Sequence, residues 1–199
     1  MAPVELKLIN YKNEYCEGYV RPFERSKDVL SWFVDWMPQM FDLAGNKVYS
    51  DSHWKVPEIW ELFYNKTDSQ VYIIESGGKI QGYICVELKH ECYNSKKGVY
   101  IPFLATAPWN RTSTHNVYRE FNGIGKIILS IAILKSYKEL DEGRIELHSL
   151  KDAEDFYHKM GMMETGRVNE RMKEFYMGNK ACSKLIRMTS SYFKIGPAK

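Results

Sequence analysis

Two closely spaced glycines at the start of a helical pattern form the first candidate site. The segment reads Asn122-Gly123-Ile124-Gly125-Lys126. Glycine lets a ligand approach the backbone closely, and the unpaired N–H groups at a helix N-terminus attract phosphate. The segment lacks the third glycine of a dinucleotide-binding fingerprint and the GK[ST] of a P-loop. It therefore predicts either a phosphate-binding loop or a plain glycine turn, and it does not indicate an NAD or ATP site.

Tyr157 is the second candidate. A phenol stays protonated at neutral pH and can donate its proton to an anion that forms beside it. Tyr157 shares one helical stripe with Ala153, Phe156 and Met160, so the pattern alone is more typical of a core position.

The third candidate is the segment from Leu104 to Arg111, where an apolar strand runs into Ala107-Pro108. Proline has no backbone N–H to donate to a neighbouring strand. The strand is therefore expected to separate from its neighbour here and to open a slot in the sheet.

The apolar patterning predicts the elements that position these candidates. An alternating pattern indicates strands, and apolar residues at helical spacing indicate amphipathic helices. Ser76-Gly77-Gly78 predicts a tight hairpin turn. The predicted strands are 4–9, 70–75, 79–88, 98–106, 144–150, 162–165 and 174–177, and the helices begin at Asp28, Pro57, Gly123 and Asp152, while the tail 179–193 is weakly helical at best.

Three of these helices also carry predictions about which residues face inward. The expected inward residues are Val29, Trp32, Phe33, Trp36 and Met40 on the first helix, Ile59, Leu62 and Phe63 on the second, and Ile124, Ile127, Ile128, Ile131 and Leu134 on the third. The element order β-α-α-β-β-β-α-β-α-β-β predicts an α/β (α+β) domain with helices on a largely antiparallel sheet. The length of 199 residues fits one domain, 1–199.

Composition excludes several classes. The net charge of +3 is scattered along the chain and disfavours a nucleic-acid partner. The four cysteines show no CxxC spacing, so no metal site is expected. No apolar run approaches the roughly 20 residues that cross a bilayer, and no secretory signal precedes the first strand. We expect a cytoplasmic protein without a membrane partner.

The three candidates occur in the order and spacing of a known family. The chain has Leu104-x-Thr106-x-Pro108-x-x-Arg111, then Gly123-x-Gly125 before an isoleucine-rich helix, then Ala153-x-x-Phe156-Tyr157-x-Lys159-x-Gly161. Together these motifs resemble the GNAT (Gcn5-related) N-acetyltransferase superfamily. They cover residues 70–178, and the element order covers the whole chain.

The resemblance implies a mostly antiparallel sheet of six to seven strands, splayed between its fourth and fifth strands, with acetyl-CoA in the gap. Backbone N–H groups of Leu104, Ala105 and Thr106 would polarise the thioester. The pyrophosphate would bind the amides of Phe121, Asn122, Gly123, Ile124, Gly125 and Lys126. Tyr157 would protonate the departing thiolate, and an amine would attack directly, without a metal or a cysteine nucleophile.

The chain departs from the family pattern in two places. The family has Gln or Arg where this chain has Glu120, with Arg119 one residue early. The family often has a carboxylate on its fourth strand, a few residues before the strand separates from its neighbour, whereas Tyr100 and Ile101 stand here. The general base is therefore open: Glu87 and His148 are the candidates, with His115 a third.

The resemblance leaves the acceptor open. A small-molecule or peptide amine is the first expectation. The alternatives are a macromolecular acceptor, such as a protein N-terminus or aminoacyl-tRNA, and a non-catalytic acyl-CoA-binding module. The aromatic content of 14% is concentrated in the first third of the chain, where Tyr49, Trp54 and Trp60 are expected to line the acceptor cleft. Both a monomer and a homodimer are compatible with the resemblance.

Overall fold

The computed structural model describes residues 3–93, 95–111, 118–140 and 143–194. The strands are β1 Val4–Asn10, β2 Tyr15–Pro22, β3 Ser69–Ser76, β4 Lys79–Glu91, β5 Lys97–Thr106, β6 Phe121–Asn122, β7 Ile145–Ser149, β8 Met163–Asn169 and β9 Met172–Met177. The helices are α1 Arg25–Ser31, α2 Val56–Tyr64, α3 Ile124–Leu140, α4 Glu154–Met160 and α5 Asn179–Thr189.

The strands form one sheet in the order β6-β1-β2-β3-β4-β5-β7-β9-β8. Every neighbouring pair is antiparallel except β5 and β7, which are parallel and are connected through α3. The predicted fold class is confirmed. The turn between β3 and β4 is the Gly77-Gly78 pair, and both glycines have positive φ as that turn requires.

The sheet has nine strands in the described part of the chain, more than the expected six to seven. The two additional strands are β2 and the two-residue β6. The sequence pattern does not reveal β2 because its inward positions include Gly18 and Arg21 rather than a row of large apolar residues. The Cβ of any larger residue at position 18 would lie within 3 Å of the Leu8 side chain, so glycine is required for close packing there.

Helices cover both faces of the sheet and enclose two separate cores. Helices α3, α4 and α5 lie over one face, where aliphatic residues such as Ile128 and Ile133 are fully buried. Helices α1 and α2 lie over the other face, where the buried residues are largely aromatic and include Trp32, Trp36 and Trp60. The early aromatic residues therefore form mainly a core, as expected for Trp32 and Trp36.

Three residues expected to face inward are exposed. Phe33 is 51% exposed, Leu62 64% and Leu134 42%. Beyond α1, residues Trp32–Trp36 form a π-helical turn and Met37–Met40 a 3₁₀ turn. A π-turn has more residues per turn than an α-helix, so the face of the helix shifts and Phe33 rotates toward solvent.

Two further expectations are corrected by the helices themselves. The inward anchor of α2 is Trp60, which is fully buried, in place of Leu62. The tail forms the helix α5, whose Cys182, Leu185 and Thr189 pack inward, and the Thr189 hydroxyl lies 2.8 Å from that of Ser130 on α3. Only three buried positions in eleven residues make its sequence pattern weak. Among the described residues, no helix combines the length and the apolarity that crossing a membrane requires.

Candidate active site

The sheet splits between β5 and β7. Their parallel pairing covers Val99 with Ile145, Tyr100 with Glu146 and Ile101 with Leu147, and it ends there. Strand β5 continues to Thr106 without a β7 partner. A wedge-shaped gap therefore opens in the middle of the sheet, as expected, but it begins after Ile101 and not at Pro108.

A β-bulge in β5 sets the direction of its backbone groups at the gap. Glu87 pairs with Tyr100 and Cys85 with Phe103, so β5 has one more residue than β4 across this interval. The extra residue lies at Ile101-Pro102. Proline lacks an N–H and is tolerated at a bulge because no ladder bond is lost there.

Beyond the bulge, alternate N–H groups of β5 face the gap. The Ala107 N–H donates to the Gln81 carbonyl of β4 at 3.0 Å. Because the N–H groups of successive residues in a strand point in opposite directions, the N–H groups of Leu104 and Thr106 point away from β4 and into the gap. The Thr106 carbonyl also points away from β4, since it accepts a 2.7 Å hydrogen bond from Arg111 Nε. Ala105, expected as a third donor at the gap, directs its N–H toward β4 instead.

A cavity of about 1640 Å³ passes through the gap. On one side it is lined by the N-terminus of α3 and by α4, and on the other by the loop before α2 and the β8–β9 turn. Ligand pockets in proteins commonly measure roughly 300–1,000 Å³. The cavity is large enough for two reactants that meet through the sheet.

The N-terminus of α3 forms one end of the cavity. The residues from Phe121 to Lys126 all line it. The first intrahelical bond joins the Ile127 N–H to the Gly123 carbonyl, so the N–H groups before Ile127 lie in the unpaired first turn. Gly123 has a φ of 82°, a conformation that favours glycine.

Two of the expected phosphate donors are already engaged. The Phe121 N–H donates to Asn110 Oδ1 at 2.9 Å. Asn122 belongs to β6 and pairs with Ile9 of β1. The backbone donors available for a phosphate are thus Gly123, Ile124, Gly125 and Lys126, a narrower set than the six residues expected.

The charges at this end are mixed but accommodate an anion close to the helix. Arg119 and Lys126 both line the cavity, whereas Glu120 does not. The carboxylate that departs from the family pattern is therefore directed elsewhere, and Arg119 occupies the cationic position. Asp152 and Asp155 line the cavity farther along, beside α4.

Tyr157 lies in the same cavity, on the first buried turn of α4. Its ring packs against Phe156 and Phe175, with centroids 5.3 and 5.6 Å away. Burial raises the pKa of the Tyr157 hydroxyl above its usual value, so the group is protonated at neutral pH. Helix α4 ends at Gly161, a left-handed C-cap with φ of 86°.

The opposite wall is a loop held in place by an ion pair. Asp51 accepts two hydrogen bonds from Arg111, at 2.6 and 2.8 Å, and both side chains are largely buried. The Arg111 guanidinium also stacks over the Tyr49 ring at 4.7 Å. Asp51 carried no sequence signal, because its partner lies 60 residues away.

Two of the three aromatic residues expected at the acceptor cleft line the cavity, and the third does not. Tyr49 and Trp54 line the cavity, and Trp54 meets the Phe103 ring edge-on at 5.1 Å. Trp60 does not line it, because helix α2 turns that side chain into the core against Tyr83. The wall of the cleft is formed by the irregular loop before α2. This loop has no periodic pattern from which the direction of its side chains could be predicted.

The candidate bases differ in whether they line the cavity. Glu87 does not line the cavity; it lies opposite Tyr100 on β4, and its carboxylate forms an ion pair with Lys66. The structure thus does not place Glu87, the expected base, among the residues that line the cavity. His148 does line the cavity, together with Tyr100. His115 lies outside the described residues.

The cysteines stay apart from this chemistry. None of the four lines the cavity in the described part of the chain. Burial raises the pKa of Cys92 and of Cys182 to about 12, which leaves both as unreactive thiols. The described residues contain no group of three side chains that could hold a metal ion.

Several solved structures are similar to this one. FdhC, a nucleotide-linked sugar GNAT, matches with a TM-score of 0.58 at 10% identity, over 96% of this chain and 98% of that one. The spermidine N-acetyltransferase of Vibrio cholerae, solved with CoA and spermine, matches with a TM-score of 0.51 at 15% identity, over 83% and 98%. This chain has the GNAT fold.

An uncharacterized protein of Bacillus halodurans shares the GNAT fold as well, with a TM-score of 0.60 at 12% identity, over 96% of this chain and 98% of that one. No protein-family model matches the sequence, and no curated protein sequence matches it. The GNAT fold places the splayed strands, the α3 N-terminus and Tyr157 in one cavity, and these are the three sequence motifs that carried the resemblance.

Proposed function

We propose that this protein transfers an acetyl group from acetyl-CoA to an amine. The observation that carries the proposal is the meeting of three features in one cavity. These are the free backbone donors of β5, the unpaired amides at the α3 N-terminus, and the hydroxyl of Tyr157. Each has a distinct role in transferring an acyl group from a thioester, and neither the α3 glycines nor Tyr157 alone would distinguish that role from packing.

The described residues fit a CoA thioester at both ends. The amides from Gly123 to Lys126, with the Arg119 and Lys126 side chains, offer donors and positive charge for a pyrophosphate. The N–H groups of Leu104 and Thr106 extend along the gap, where they can pair with the amide groups of a pantetheine arm. Acetyl-CoA would supply the acyl group, activated as a thioester.

Two groups of this chain act on the reacting atoms. A gap-facing N–H of β5 donates to the thioester oxygen as negative charge develops on it. One preorganised donor of this kind contributes about 10²–10³ in rate. The amine nitrogen forms the C–N bond while the C–S bond breaks, and Tyr157 donates its hydroxyl proton to the departing sulfur. The nitrogen loses one proton to solvent as the amide forms, and Tyr157 takes a proton back from solvent, so the enzyme returns to its starting state. No covalent bond to the enzyme forms.

The acceptor reaches the gap from the opposite face of the sheet. Tyr49, Trp54 and Phe103 form an aromatic wall there, and such surfaces bind flat apolar groups and cations. We propose a small-molecule or peptide amine as the acceptor. Among the structural neighbours, the Vibrio cholerae enzyme is named for a polyamine and FdhC for a nucleotide-linked sugar.

An acetyl-CoA consumption assay tests the proposal. The panel should contain alkylamines, arylalkylamines, polyamines, amino sugars, peptide N-termini and aminoacyl-tRNA, with free thiol release as the signal. Turnover with an amine and a mass increase of one acetyl group support the proposal. Binding of acetyl-CoA in calorimetry without turnover on any acceptor would favour the acyl-CoA-binding module, and a lack of binding would exclude both.

The affinity for CoA should depend on the charge at the α3 N-terminus. We expect Lys126→Glu to weaken CoA binding by roughly tenfold, because it replaces a cation beside the pyrophosphate with an anion that repels it. Acetylpantetheine, which lacks the pyrophosphate, should bind both forms equally. Lys138→Glu changes the net charge identically on an exposed site at the far end of the same helix, and it should leave CoA binding unchanged. Equal weakening by both substitutions would contradict a phosphate site at the N-terminus.

A further inference from the structure

A polar network lies on the acceptor side of the gap, where the rest of the sheet face is covered by an aromatic core. Tyr100 of β5 pairs with Glu146 of β7. His148 lies two residues farther along β7, so its side chain is on the same face of the sheet as that of Glu146. Tyr100 and His148 both line the cavity. The Tyr100 hydroxyl and His148 Nδ1 are 2.8 Å apart.

A buried carboxylate lies behind the imidazole. Glu174 of β9 is directly opposite His148 in the sheet, and its Oε2 lies 3.9 Å from His148 Nε2. Its other oxygen accepts a 2.6 Å hydrogen bond from Thr165 and lies 3.7 Å from the Arg167 guanidinium. The carboxylate is thus fixed in place and still faces the imidazole.

The direction of the hydrogen bonds follows from Tyr100 and Glu174. Burial, together with the negative charges of Glu87, Glu146 and Glu174, raises the pKa of Tyr100 to about 12. The hydroxyl is therefore protonated and is able to donate. Because the Glu174 carboxylate faces Nε2 and can only accept, we assign the imidazole proton to Nε2, which leaves Nδ1 as the acceptor of the Tyr100 hydroxyl. The ring of Tyr100 is also held from behind by His90, at 4.9 Å between centroids, and His90 itself bonds to Glu146 at 2.8 Å.

We propose that Tyr100, His148 and Glu174 form a proton relay that deprotonates the acceptor, a role that rests on the proposed acetyl transfer. An alkylamine at neutral pH is almost entirely ammonium, and only its neutral form attacks a thioester. The ammonium gives one proton to the Tyr100 oxygen while the Tyr100 hydroxyl proton passes to His148 Nδ1. The resulting imidazolium is stabilised by Glu174, and the partly exposed ring returns the proton to solvent.

Tyr100 is the residue of β5 whose side chain connects the gap to the imidazole. The other charged groups around the network are Glu146 and His90 on one side, Arg167 beside Glu174, and, on the other side, Glu87, which lies opposite Tyr100 on β4 and pairs with Lys66. None of these four lines the cavity, so within the network the acceptor meets Tyr100 and His148.

Two acceptors that differ mainly in protonation test the relay. The first is the best alkylamine of the panel, R–CH₂–NH₂, and the second is its aminooxy counterpart, R–O–NH₂, which is neutral at neutral pH. We expect Tyr100→Phe and His148→Gln each to lower kcat/KM for the alkylamine by about 10²-fold, the usual contribution of general base catalysis. The aminooxy compound should change by less than about threefold, since it needs no relay before attack.

The nitrogen chemical shifts of the His148 ring give a readout independent of turnover. In the ligand-free protein they should show a proton on Nε2 and none on Nδ1, and Tyr100→Phe should reduce that preference. Tyr93→Phe is the matched control. It lies in the same region of the sheet face but does not line the cavity, so it should change neither rate.

The outcomes separate the relay from the proposed function. Equal losses for both acceptors would show a structural role and overturn the relay, as would an unchanged alkylamine rate in the variants or a proton on Nδ1. Turnover by the unaltered protein would still support acetyl transfer in each of these cases. Absence of turnover with every amine in the panel would overturn the proposed function and the relay together.

Discussion

Replacing Tyr157 by phenylalanine should lower turnover by roughly 10²-fold, while acetyl-CoA binding changes little. The substitution removes one oxygen from a buried side chain whose ring is held between Phe156 and Phe175. The packing surface therefore remains. What is lost is the proton donor, so the thiolate must leave without protonation. Steady-state kinetics with the best acceptor of the panel and calorimetry with acetyl-CoA measure the two effects separately.

An exposed tyrosine provides the control for this result. Tyr64 at the end of α2 is exposed and does not line the cavity, so Tyr64→Phe should leave both turnover and binding unchanged. Full turnover in Tyr157→Phe would remove the residue from the chemistry and leave it a core position, the other interpretation of its helical stripe.

The sequence predicted the fold wherever a periodic pattern reached the buried residues. The hairpin at Gly77-Gly78 and the helix after Gly123 have unambiguous signals and occur where expected. Strand β2 was missed because Gly18 and Arg21 replace large apolar residues at its inward positions. Phe33 was misplaced because a π-helical turn changes the angular spacing on which the prediction relied. Both errors arise from local geometry that depends on tertiary packing.

The residues of the candidate site also differ in how far the sequence could predict them. Leu104, Thr106, the α3 glycines and Tyr157 could be predicted because each lies in a local motif with fixed spacing, and the structure places them at one cavity. Asp51 and Glu174 have no sequence signal because each contacts a partner far away in sequence, Arg111 in one case and His148 in the other. Pairs of this kind produce no periodicity in a single chain. Glu87 was a plausible base by type, but its strand directs it to Lys66.

The largest effect on stability should come from an ion pair beneath α1. The Asp28 side chain is fully buried and accepts hydrogen bonds of 2.9 and 2.6 Å from Arg21 and one of 2.7 Å from the Glu24 N–H. Burial opposes the charge on Arg21, but the attraction of Asp28 and Glu75 outweighs it and raises the pKa of Arg21. The pair thus depends on both charges being present.

Arg21→Met should therefore lower the free energy of unfolding by about 3–5 kcal/mol, because it leaves the Asp28 carboxylate buried without its cation. The double substitution Arg21→Met with Asp28→Leu removes both charges and should cost less than Arg21→Met alone. Urea denaturation measures each variant.

The exposed pair of Arg25 with Glu61 serves as the comparison for that series. Its side chains are 69% and 39% exposed, so Arg25→Met should cost less than about 1 kcal/mol. A double variant less stable than Arg21→Met would show that the two charges contribute independently. In that case the stability would come from the separate packing of each side chain, and the buried charge left behind would not be the cause of the loss.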